Sequence, residues 1–155
     1  MSHARQQIRE AVATLLRVTP TTWGTVFETR IPTSRAVLPY LMVFSDGESS
    51  EDSDVNYSSI YQRDLNIVVS GRIRLPGNND TETVEDRMDA LASEVETKLT
   101  FATMLATLTQ LKSLRLTSTE MVVVIDDQES PQYAEVTLNY VLQYFTAEGT
   151  PTVLV

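Results

Sequence analysis

Cysteine is missing from all 155 residues, so disulfides and thiolate metal sites are excluded and nothing points to an oxidising compartment. Histidine is almost missing too. His3 stands alone near the start, which leaves no ordinary zinc set and no Ser-His-Asp arrangement. A terminal imidazole that nothing orients is a poor general base, and His3 reads as solvent-exposed. The five glycines are scattered singly, and neither G-x-x-x-x-G-K-[ST] nor G-x-G-x-x-G occurs. The first residues, "MSHARQQIREAVATLL", lack the apolar core of a signal peptide, and no apolar run approaches the roughly 20 residues that span a bilayer. These absences predict a soluble protein of a cytosol-like environment, with no membrane partner and no cofactor.

Positive charge is scarce and unevenly placed. Twelve Lys and Arg face 21 Asp and Glu, for a net charge of −9. Residues 1–35 carry five arginines against Glu10 and Glu28, whereas 36–62 hold five carboxylates and no cation. Such a chain gains little from counterion release on DNA and is repelled by it, so sequence-specific nucleic-acid binding is disfavoured. A surface past which DNA must slide without sticking would carry this sign of charge.

What is present is a periodic α+β pattern. Ile8, Ala11, Val12, Leu15 and Leu16 predict an amphipathic helix over 3–17, capped by Ser2 and stopped by Pro20. "TVFETRI" (25–31) and "AVLPYLMVF" (36–44) read as strands. From Tyr61 to Leu75, Leu65, Ile67, Val69, Ile73 and Leu75 share one phase, which predicts a strand with one wet face and a bulge or kink at Gly71. A long acidic helix follows over 81–99, with Asn79 and Glu82 placed as a capping box. A second, shorter apolar helix is expected over 101–111. A strand ending at Ile125, the turn "DDQESP" and a strand over 133–145 close the pattern.

The expected order is α-β-β-β-α-α-β-β. It predicts a single α+β domain over 1–146, an antiparallel sheet of about five strands with helices on one face, and a tail over 147–155 without an obvious partner.

"FSDGESSEDSDVNYSS" (44–59) is the densest concentration of charge. Asp52, Asp54 and Asn56 begin a calcium-loop pattern, but Tyr57 stands where glycine is required and Arg63 where the twelfth-position Glu belongs. Asp46, Glu48, Glu51, Asp52 and Asp54 lie among serines, with few apolar neighbours to shift their pKa values. The stretch reads as an exposed loop between strands, or as one that orders at an interface. Trp23 reads as a core-edge residue covering the first helix, with an interface anchor as the alternative. Asp126 and Asp127 read as hairpin-turn residues. Tyr140 and Tyr144 lack the basic neighbours of a base-stacking sheet.

Four stretches carry a family resemblance that spans residues 4–146. They are "RQQIREAVATLL" followed by a small strand pair, "LPYLMVF" with its acidic loop, "DLNIVVSGRIRLPGNNDTETVEDRMDAL", and "AEVTLNYVLQYF". In that order they resemble the tail terminator proteins of long-tailed phages, the group that includes the lambda minor tail protein U. The tail "TAEGTPTVLV" and the second helix depart from that pattern. The resemblance implies a non-enzymatic virion protein, present in the host cytoplasm during assembly and afterwards at the tail-neck junction. It implies a homo-hexameric ring that caps the tail tube protein, ends its polymerisation and offers a surface to the head-tail connector protein, while genome DNA passes through the lumen without specific binding. Ring contacts are expected between Arg5, Arg9 and Arg17 and a neighbour's Glu85, Asp86 and Asp89. Docking to tube or connector is expected at Asp46, Glu48, Glu51, Asp52 and Asp54, at Asp126, Asp127 and Glu129, and along the tail from Thr150. Another neck or head-completion ring, and a small dimeric α+β ligand-binding domain, are the competing readings. A carboxylate-based enzyme is the least favoured.

Overall fold

The computed structural model describes residues 2–33, 36–52, 59–77, 79–124 and 133–155. The elements run α1 (Ala4–Leu16), β1 (Thr25–Phe27), β2 (Tyr40–Asp52), β3 (Ile60–Arg74), α2 (Val84–Lys98), α3 (Phe101–Leu105), β4 (Ser113–Val124) and β5 (Tyr133–Ala147). This is the α+β order read from the sequence, assembled as one five-stranded sheet in the order β1-β2-β3-β5-β4. All neighbouring strands are antiparallel except β1, which lies parallel to β2.

The helices and one sheet face share a core. α1 buries Ile8, Val12 and Leu16, and α2 buries Met88, Leu91, Ala92 and Val95. They meet Leu41 and Val43 of β2, Leu65, Ile67, Val69 and Ile73 of β3, and the alternating Ala134 to Tyr144 of β5. β5 follows a strict two-residue burial period along its whole length, as a central strand clad on one face requires. Trp23 belongs to this core at 3% exposure, and its Nε1 donates to the Leu16 carbonyl at 2.8 Å, satisfying one of the acceptors at the end of α1.

Several boundaries differ from the sequence reading, each for a local reason. His3, and not Ser2, caps α1: its Nδ1 accepts from the Arg5 N–H at 3.2 Å. Thr83, and not Asn79, caps α2, through a reciprocal pair of 3.1 Å bonds with Asp86. α3 covers only Phe101–Leu105; the apolar spacing beyond it belongs to tight turns that bring Leu111 into the core. Gly71 makes no bulge. It pairs regularly with Leu41 and Val136, and the side chain of Leu91 rests on it. The bulges lie on the two flanking strands, between Ser45 and Gly47 and between Leu116 and Ser118. The outer face of β3 is also less wet than its alternation suggests, since Val68 and Ser70 are buried there together with Tyr40 and Met42 of β2.

The tail has partners after all. The Pro151 carbonyl accepts from the Ala4 N–H at 2.9 Å, the Thr152 carbonyl from Gln7 Nε2 at 2.8 Å, and the Val155 N–H donates to the Phe145 carbonyl at 3.0 Å. Leu154 forms an antiparallel bridge with Thr146. Pro151 thus supplies an acceptor to the first N–H of α1, which has none inside the helix, and Thr152 holds a side chain of the same turn.

Candidate functional site

The acidic stretch is a strand and not a loop as far as Asp52. Gly47, at φ +139°, accommodates the bulge at Asp46, and the ladder to β3 resumes from Gly47 opposite Asn66 to Asp52 opposite Tyr61. The bulge resets the alternation, so that Glu48 lies beside Leu65 on the helix-clad face. Its side chain is only 6% exposed. Arg63 Nη1 donates to Oε1 at 2.8 Å, the Tyr144 hydroxyl donates to Oε2, and Arg5 Nη1 stands 3.9 Å away. Arg63 Nε in turn donates to Thr146 Oγ1 at 2.7 Å. Burial and the Glu48 carboxylate hold the Tyr144 proton well above the usual tyrosine range. A carboxylate engaged on both oxygens, facing a tyrosine that keeps its proton, acts as a clamp. It joins β2, β3, β5 and the start of α1.

The other residues singled out from the sequence are dispersed. Arg17 serves its own chain, donating to Glu28 at 2.8 Å and to the Val26 carbonyl at 2.9 Å. Arg9 keeps a buried Nε with no hydrogen-bond partner among the described residues. Asp86 is the capping carboxylate of α2, and the bonds from the Thr83 backbone and hydroxyl hold its pKa low. Glu85 and Asp89 are exposed on that helix. Asp46 pairs loosely with Arg30 at 3.8 Å, while Glu51 and Asp52 are exposed on β2. Asp54, Asp126, Asp127 and Glu129 lie outside the described residues.

The strand expected to end at Ile125 is β4, and what the sequence reading missed is how exposed it is. It has β5 on one side and, among the described residues, no strand on the other. It is open on both faces: Leu116 is 38% exposed, Met121 41%, Val122 54% and Val123 38%. On the helix side α2 stops short of it, leaving a cleft of about 500 Å³ bordered by Asp89, Ser93, Glu96, Thr119 and Met121. The clue was "MVVV": consecutive apolar residues in a strand point to both faces, and both must be covered somehow. Among the described residues no group of three or more His, Asp or Glu is placed to hold a metal ion, and no helix is long and apolar enough to cross a membrane.

No protein-family model matches the chain, and no curated protein matches it. Among solved structures it is similar to a chain described as "Virion of native gene transfer agent (GTA) particle". The likeness covers 96% of this chain and 100% of that one, at a TM-score of 0.54 and 18% identity. The two share a fold.

Proposed function

We propose that this chain is a structural protein of a phage-like particle, and within that class a tail terminator. In this reading six copies form a ring on the end of the tail tube, stop its growth and present the surface to which the head connector joins. The observation that carries the proposal is the end-to-end fold likeness to a chain of a virion particle. The sheet adds a physical motive for assembly: among the described residues β4 is a long edge with no strand beyond it and apolar residues on both faces, a form that folded chains normally pair or cover. The net charge of −9 suits a ring through which DNA passes without adhering. No bond is made or broken by the protein in this reading, and it needs no cofactor.

The test is deletion of the gene in a particle-producing strain, followed by electron microscopy. Tails of unregulated length, unattached to filled heads, are expected. Normal-length tails joined to heads would overturn the proposal. Attached tails that lack only a collar would reassign the chain to another neck ring.

A further inference from the structure

Exposed apolar side chains collect at the two margins of the sheet. Ten large hydrophobics are exposed among the described residues, and six of them lie there. Leu116, Met121, Val122 and Val123 belong to β4. Ile31 and Val37, at 76% and 68% the most exposed of all, lie between β1 and β2 at the opposite margin. There β1 has β2 on one side and, among the described residues, no strand on the other. The margins are level with each other. Val26 of β1 is opposite Leu41, and the registers run on through Gly71 and Val136 to Met121. Arg30, which precedes Ile31, donates to the Ser45 carbonyl at 2.8 Å, and from Ser45 the registers lead through Ile67 and Tyr140 to Leu116.

We infer that the β4 margin of one copy seats the β1 margin of the next, with Ile31 and Val37 laid on the exposed apolar residues of β4. This deepens the ring reading and rests on it. Three observations select a second copy as the occupant. The levels agree: rotation about an axis running along the strands preserves level, so β1 and Ile31 arrive beside the stretch from Leu116 to Val122. The directions agree, because β1 runs parallel to β2 and opposite to β4, so the junction is antiparallel. The charges agree as well. The cleft beside Met121 is lined by Asp89 and Glu96 and by no Lys or Arg. Arg17 sits on the Val26 carbonyl at 2.9 Å, level with Met121, and its side chain stays about half exposed although it also binds Glu28. Such a contact uses two different surfaces and closes into a ring, whereas β4 against β4 would stop at a dimer.

The experiment places a carboxylate on exposed apolar positions, where folding is not at stake. Ile31→Asp and Val122→Asp are made singly, checked by circular dichroism and weighed by light scattering. Val153→Asp, on the exposed tail, is the control. Each of the first two should need at least about tenfold more protein to assemble than the parent, and the control no more than the parent. An equimolar mixture of the two should stop at a dimer, because one junction joins two intact surfaces and the next joins two altered ones. If the parent itself remains monomeric in solution, particles are made with Ile31→Cys and Leu116→Cys together and treated with a short bis-maleimide. The absence of native cysteine makes a covalent ladder beyond the dimer diagnostic. Single variants that assemble like the parent, a mixture that yields full rings or nothing, a ladder ending at a dimer, a tube or connector protein linked in place of a second copy, or no ladder would each overturn the docking. Normal tail length in particles without a ladder would leave the proposed function standing.

Discussion

A Cβ placed on Gly71 would stand 2.8 Å from Leu91 Cδ1 and equally close to Leu41 Cδ2. α2 therefore approaches β3 at the one position of that strand without a side chain, and the depth of the helix on the sheet is set there. Gly71→Ala should cost about 1–3 kcal/mol, since the buried side chains of Leu91 and Leu41 must shift to admit the methyl. A urea midpoint that stays or rises would show that the contact yields freely.

Glu48 and Arg63 are both largely buried and bonded at 2.8 Å. Glu48→Ala leaves the guanidinium without its partner and should destabilise by about 3–5 kcal/mol, the usual cost of breaking such a pair from one side. Tyr144→Phe removes only the donor to the other oxygen and should cost about 1–2 kcal/mol. Denaturant unfolding of the two variants checks the ranking. Equal effects would mean that the charge is better solvated than the geometry shows.

Tyrosine titration followed in the ultraviolet should show at least two of the six tyrosines still protonated above pH 11 in the folded protein. Burial, helped by nearby Glu96, pushes Tyr140 up to about 12, and Tyr144 is raised by burial and by Glu48. Both pKa values are raised on folding. Their contribution to stability is thus complete below the unfolded value near 10 and declines as pH rises from there through the folded values. Tyr144→Phe should flatten that alkaline decline.

His3 moves the other way. Burial, and then the nearby Arg5, lower its pKa, with Glu48 opposing. Its cap requires a neutral Nδ1 to accept from Arg5. The stabilisation is complete above the unfolded value near 6.5 and is lost as pH falls from there through the folded pKa. NMR titration of this single imidazole should give a midpoint below 6.5, and His3→Ala should reduce the acid sensitivity of stability.

Deleting residues 151–155 removes the acceptors that Pro151 and Thr152 give to Ala4 and Gln7, and the bond from Val155 to Phe145. About 1 kcal/mol for each of the three bonds predicts a loss near 3 kcal/mol. Amide exchange should speed up first in the opening turn of α1. Unchanged exchange there would show that water replaces the tail without cost.

The sequence made most of this fold legible because burial has a period. β5 and the apolar stripes of α1 and α2 were readable for that reason, and the elements follow in the expected order. What was not legible depends on partners distant in sequence. Glu48 reads as one solvated carboxylate among many until Arg63 and Tyr144 are brought to it from two other strands. Two of the tail's bonds, to Ala4 and Gln7, are made with residues about 145 positions away, where no local pattern announces them. Gly71 misled because a glycine that admits a helix and a glycine that opens a bulge leave the same mark in a sequence. Of the α1 arginines expected at ring contacts, Arg17 already has partners in its own chain.

Trp23 is the only tryptophan, and it is sealed against the end of α1 with Lys98 Nζ 6.0 Å from its ring. Its fluorescence should therefore be blue-shifted in the native protein and red-shifted when that corner opens. The exposed strand β4 does not include it, so the emission colour can follow unfolding while saying little about how many copies have come together.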